Sequence, residues 1–199
     1  MADTESCQKL ADWVKNTYCG CSVLYNNAGY ARFAPFAEMS LADIKQTVDA
    51  NLAGLLYLTH AFLPMMIAAK TGHIVNIASL AGHVATAKAA VYAGSKAAVI
   101  RFSEGLRHEL AQTGVHVTCV MPGPIDTPFL DHADQTGAYR GKVRRYLLTP
   151  EATARRILRA VERRQDELTM PRRLHLLSLL YLLLPGSWKR LFAPLLNRK

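Results

Sequence analysis

Cysteine is scarce in this sequence, and the four present, Cys7, Cys19, Cys21 and Cys119, never form a C-x-x-C pair. That spacing speaks against a zinc site, and with no secretion signal ahead of them the expectation is free thiols in a reducing cytoplasm. Acidic side chains are few as well, 15 against 24 lysines and arginines, which leaves a formal net charge of +9. Such an excess suits nucleic acid, an anionic membrane surface or a phosphorylated cofactor. The arginine pairs 144/145, 155/156, 163/164 and 172/173 lack interleaved aromatics, and no nucleic-acid reader motif occurs. Solvated helix faces are therefore expected, and no nucleic-acid partner. Internal repeats, low-complexity linkers and any G-x-G-x-x-G or G-x-x-x-G-x-G turn are also missing. Without a linker the expected organisation is one domain over 1–173 and a tail of different character over 174–199.

What is present alternates between helical and strand patterns. Residues 5–16 have helical spacing, and 22–26 read as a short apolar strand running into Asn26-Asn-Ala-Gly29. Ser40, with Asp43 three residues on, caps a long helical stretch towards Ala69, which Pro64 is expected to kink or interrupt and Gly72 to close. Residues 73–77 form the second strand, 92–113 a helix ended by Gly114, and 115–120 the third strand. An irregular polar stretch follows the Pro122-Gly-Pro124 turn. Thr149 and Pro150 then start a basic helix, and 168–170 supplies a last strand. Alternating strands and helices predict an α/β fold with a parallel sheet.

Tyr92 and Lys96 lie four apart on a predicted helix, hence on one face, one turn from each other. A phenol is a poor acid or base at neutral pH, and a neighbouring ammonium is expected to lower its pKa. Ser79 follows the second strand, where open parallel sheets place ligand crevices, so its hydroxyl is a candidate to hold a substrate oxygen beside Tyr92. The histidines at 73, 83, 108, 116 and 132 have no ligand spacing, and no metal is expected.

Asn26-Asn-Ala-Gly29, Asn51, Gly72-His-Ile-Val-Asn-Ile-Ala-Ser79, Tyr92-Ala-Gly-Ser-Lys96 and Pro122-Gly-Pro-Ile-Asp-Thr127, in this order, resemble the successive motifs of the short-chain dehydrogenase/reductase family. The resemblance implies a Rossmann-like doubly wound sheet and NAD- or NADP-dependent interconversion of a carbonyl and an alcohol. It implies Tyr92 as general acid/base, Lys96 lowering the tyrosine pKa and contacting the nicotinamide ribose, Ser79 orienting substrate, and Asn51 supporting a proton-relay water. Asn27, Ala28 and Gly29 would flank the adenosine side of the cofactor, and Pro122, Gly123, Ile125 and Thr127 would line the nicotinamide. The substrate is expected to be a small hydrophobic carbonyl or alcohol.

The pattern departs from the family at several points. The glycine-rich strand-turn-helix that receives the cofactor pyrophosphate is missing, so the expected sheet is a partial one, and 22–26 should form its edge. The residue that chooses between NAD and NADP is missing with it. Ser22, Tyr25 and Gly94 stand where the family usually has Asp, a smaller aliphatic and Ala. An inactive remnant serving as an interaction or membrane-peripheral protein is the competing reading. In the tail, 174–184 is almost wholly apolar but well short of the roughly 20 residues that span a bilayer. Leucines mixed with Trp188, Lys189, Arg190, Phe192 and Arg198 suit an amphipathic segment on a membrane interface; a homo-oligomer contact or a pocket cover is the alternative.

Overall fold

The computed structural model describes residues 3–188, so Lys189, Arg190, Phe192, Arg198 and the rest of the distal tail lie outside it. Its strands are β1 (Val23–Asn26), β2 (Gly72–Ile77), β3 (Val115–Pro122) and β4 (Glu167–Met170), all parallel and ordered β1-β2-β3-β4. Parallel pairing requires a crossover between successive strands, and helices supply it. α1 (Thr4–Tyr18) precedes β1; α2 (Leu41–Val48) and α3 (Gly54–Ala68) join β1 to β2; α4 (Ala90–Glu109) joins β2 to β3. The short α5 (Phe129–Ala133) and α6 (Ala138–Val143) and the longer α7 (Pro150–Glu162) lie between β3 and β4, and α8 (Arg172–Leu183) follows.

Both faces of the sheet are covered, as a doubly wound fold requires. On one, Ile74, Val117, Cys119 and Met121 pack with Leu55 and Met66 of α3 and Val99, Ile100 and Leu106 of α4. On the other, Val75, Val120 and Met170 pack with Ile157 and Val161 of α7. Cys7 and Ala11 tie α1 to Ala61 and Phe62 of α3. The edge position of β1 is observed, and it accommodates Tyr25, which is 42% exposed, without burying its phenol.

The core between sheet, α3 and α4 also holds polar groups. Asn26 donates to Thr59 at 3.0 Å and to Asn76 at 2.9 Å, while Asn76 donates to Ser103 at 2.9 Å and Ser103 to the Val99 carbonyl at 2.8 Å. Register places Asn26 opposite Asn76, so the link between them runs directly across neighbouring strands.

Three boundaries differ from the sequence expectation. The long helix begins as expected, with Ser40 accepting from the Asp43 amide at 3.0 Å, but Pro64 sits inside α3 without ending it. The irregularity lies earlier, in a π turn over Asp49–Ala53 that separates α2 from α3. Gly72 does not close the helix either; Lys70, at φ 52°, makes that turn, and Gly72 opens β2 where a Cβ would lie 2.7 Å from Met66. α4 stops at Glu109 rather than Thr113, and Gly114, at φ +81°, passes so close to the Lys70 carbonyl that no side chain fits. Counted with the π turn, 41–68 is the one helix among the described residues long and apolar enough to cross a membrane, and here it packs against α1, β1 and β2.

Candidate active site

Ser79, Tyr92 and Lys96 converge at the carboxyl end of the sheet. Ser79 follows β2 with an extended backbone and caps the short turn Leu80–Gly82, its hydroxyl accepting from the Ala81 amide at 3.1 Å and donating to the Pro122 carbonyl at 3.4 Å. Tyr92 lies in the first turn of α4 and hydrogen-bonds Ser79. One turn on, the Lys96 side chain runs under the phenol: Nζ is 5.9 Å from the ring centroid and donates to the Ile77 carbonyl at 2.7 Å.

Burial dominates the electrostatics of this trio. It pushes the Tyr92 phenol up to about 12, against the Ser79 hydrogen bond, which acts to lower it. The same desolvation pulls the buried Lys96 ammonium down to about 8. At the phenol the acting causes are burial, the Ser79 hydrogen bond and Tyr139, and Lys96 is not among them. Tyr92 is neutral at physiological pH.

The enclosure comes from rings that sequence reasoning did not single out. Phe33 meets Tyr92 edge-on at 5.9 Å between centroids, Phe129 lies at 6.0 Å, and Tyr139 stacks edge-on against Phe33 at 4.9 Å. Phe33 stands in the irregular segment after β1, and Phe129 and Tyr139 in α5 and α6, helices too short for a periodic pattern to mark them. Beside them opens a cleft of about 540 Å³, lined by Gly29, Tyr30, Arg32, Asp43, Phe129 and His132 among others.

Asn51 sits in the π turn, 1% exposed. Its side-chain oxygen accepts from the Tyr30 amide at 2.8 Å, while its nitrogen donates to the Tyr30 carbonyl at 2.9 Å and to Ser95 at 3.0 Å. Ser95 in turn donates to the Tyr92 carbonyl at 2.7 Å. Asn51 therefore ties the segment after β1 to the first turn of α4, and its amide is spent on that positioning. Asn27, Ala28 and Gly29 lie exposed at the end of β1. A Cβ on Gly29 would fall 3.1 Å from Asn51 Oδ1, a tight contact, and 3.7 Å from Lys96 Nζ, an ordinary one, so the turn passes close to the lysine and it is Asn51 that leaves little room for a side chain.

On the other flank Pro122 is buried at the end of β3, with Gly123, Ile125 and Thr127 partly exposed beyond it. Backbone bonds tie this stretch to Leu148, and Arg140 grips it from α6, pairing with Asp126, contacting Asp131 at 3.0 Å and the Thr127 carbonyl at 3.2 Å. Arg140 had no sequence signal, since its acceptors lie 9 to 14 residues away in an irregular segment. The lysine with donors to spare and the close backbone turn suit the ribose and nicotinamide half of a dinucleotide. No glycine-rich turn for its pyrophosphate occurs in the 199 residues.

With that geometry established, comparison with known proteins is informative. The family model described as short chain dehydrogenase matches residues 1–137. An uncharacterized oxidoreductase of Staphylococcus saprophyticus is 38% identical over 130 residues, which cover 65% of this chain and 56% of the relative. Another, from Staphylococcus aureus, is 32% identical over 161 residues, 81% of this chain and 67% of that protein. The chain thus spans little more than half the length of the first relative. Among solved structures, a closed form of serine dehydrogenase complexed with NADP+ superposes with a TM-score of 0.77 at 30% identity, over 85% of this chain and 72% of that one. A short-chain dehydrogenase from Streptomyces avermitilis gives 0.76 at 27%, over 96% and 76%. A model match over more than half of the chain, with the Ser79–Tyr92–Lys96 geometry beneath it, places this protein in the short chain dehydrogenase family.

Proposed function

We propose that this chain carries the catalytic part of a nicotinamide-dependent oxidoreductase that interconverts a carbonyl and an alcohol. The observation that carries the reading is the convergence of Ser79, Tyr92 and Lys96 at the strand ends, with Ser79 bonded to the phenol. NADP-bound relatives of similar fold, the serine dehydrogenase and a gluconate 5-dehydrogenase of Burkholderia cenocepacia among them, support a dinucleotide of this class. When bound, the cofactor supplies or accepts the hydride.

The chain's own residues handle the oxygen and the proton. Ser79 and Tyr92 donate to the substrate oxygen, and Tyr92, neutral at working pH, releases its proton to that oxygen in reduction and recovers it in oxidation. Lys96 stands one turn below, able to contact ribose hydroxyls and to favour the transient phenolate. Asn27, Ala28 and Gly29 would flank the adenosine side, with Pro122, Gly123, Ile125 and Thr127 on the nicotinamide side. The rings of Phe33, Phe129 and Tyr139 favour an apolar substrate surface near the phenol.

Titration with NADPH and NADH, followed by nicotinamide fluorescence and thermal stability, tests the first requirement. Saturable binding is expected, and with a carbonyl substrate in hand Tyr92→Phe should lower kcat by roughly 100-fold or more with binding intact. A folded sample that binds neither dinucleotide overturns the enzymatic reading in favour of a non-catalytic role.

A further inference from the structure

α8 is assembled the wrong way round for a helix of a water-soluble surface. Ser178, 5% exposed, points inward, while Leu176, Leu177, Leu179, Leu180 and Leu183 are exposed by 60%, 57%, 40%, 53% and 82%. At about 100° per residue these five leucines occupy one continuous arc, with Ser178 opposite. The inward side is already occupied, since the helix packs on β4 and the Leu80–Gly82 turn, and Leu174 reaches Gly123. The outward arc is therefore a surface. Trp188, 56% exposed, lies just beyond the helix.

Charge identifies the occupant. From Leu168 to the end of the chain the formally charged side chains are Arg172, Arg173, Lys189, Arg190, Arg198 and Lys199, with no carboxylate among them. Arg172 and Arg173 are exposed at the start of α8, and helical geometry places both on the leucine arc. A second copy of the chain would bring two such uncompensated positive segments face to face. An acyl interface under anionic headgroups meets both features: leucines enter the apolar boundary, a tryptophan sits at headgroup depth, and arginines meet phosphate.

We propose that α8 lies in the plane of an anionic lipid surface and holds the protein there peripherally, through the Leu176–Leu180–Leu183 arc and Arg172 and Arg173. The inference is independent of the catalytic reading, because no residue of the Ser79–Tyr92–Lys96 site belongs to the arc.

Flotation of the full chain with phosphatidylcholine vesicles, with and without phosphatidylglycerol, tests it. The protein should float with the anionic vesicles, lose binding as salt rises, and show a blue-shifted Trp188 emission in a Trp13→Phe background. The double variant L176Q/L180Q should weaken binding at least about tenfold, the lower limit for withdrawing two leucines from an apolar phase. Replacing Arg172 and Arg173 by serine should remove most of the preference for phosphatidylglycerol. Failure to float on either vesicle, or flotation unchanged in L176Q/L180Q, overturns the proposal. A dimer in sedimentation that the same double variant dissolves, without vesicle binding, assigns the face to a second copy instead.

Discussion

Two regions of this molecule reverse the ordinary rule of apolar inside and polar outside, and they do so in opposite senses. Between the sheet and α4 an otherwise apolar interior holds a polar network: Asn26, Asn76, Ser103, Asn51 and Ser95 are all buried, and every one has a hydrogen-bonding partner within the chain. Along α8 the exterior is apolar, with leucines presented to solvent over a buried serine. The first region meets its requirements internally, Asn26 Oδ1 excepted, and so fixes the geometry of the site. The second has requirements that only something outside the chain meets. An inversion that is internally satisfied reads as architecture, whereas one left open reads as an interface.

That contrast breaks most readily at Asn76. Asn76→Leu removes both the acceptor for Asn26 and the donor to Ser103 in a fully buried setting, and should cost about 2–3 kcal/mol in denaturant unfolding. A loss below about 0.5 kcal/mol would mean that the polar core is incidental.

Lys96 gives the next largest effect, and its sign can be read from pH. Its pKa falls from 10.5 unfolded to about 8 folded, so below pH 8 it is charged in both states and the full cost of burying it is present. Between about pH 8 and 10.5 the unfolded chain binds more protons, so stability should rise with pH, by on the order of 2 kcal/mol. The Tyr92 shift opposes this only above about pH 10. Chemical denaturation across pH 7 to 9, below the range in which the buried Cys119 thiol, raised from 9.0 to about 11, acts in the opposite sense, should show the rise in the parent chain and a flat profile in Lys96→Met; the same slope in both would remove Lys96 as its source.

The smallest effect sharpens the comparison from the other side. Leu176→Gln and Leu180→Gln, at solvent-facing positions, should each leave thermal stability within about 0.5 kcal/mol of the parent. Losses of several times that value would place these leucines in the fold and not on its surface.

The strands, their alternation with helices and the positions of Ser79, Tyr92 and Lys96 were legible in the sequence because their signals are local. A four-residue spacing puts two side chains on one helix face, and a serine after an apolar strand stands at its carboxyl end. What stayed hidden depends on contacts far apart in the chain. The direction of the Tyr92 shift follows from burial, and the rings that meet the phenol, Phe33 and Phe129, bear no regular spacing to residue 92. The hold of Asn51 on Tyr30 spans 21 residues and an irregular loop. Pro64 was the visible helix breaker, yet the break occurs at Asp49–Ala53, where a wide turn suits Asn51 and no residue type announces it.

That wide turn sets a constraint on length. It carries more residues per revolution than the helix on either side, so the stretch before it, with Thr47 buried, and the stretch after it, with Thr59, Phe62 and Met66 buried, have separate angular phases. Removing one residue from 49–53 would let the wide turn close into an ordinary α turn, so the faces before and after it would keep their relative phase. The Thr59–Met66 side would stay on the sheet, and what would be lost is the room in which Asn51 meets Tyr30 and Ser95. The helix therefore takes a deletion with least damage to its packing at the point where its hydrogen bonding is least regular, at the expense of the tie between Tyr30 and α4.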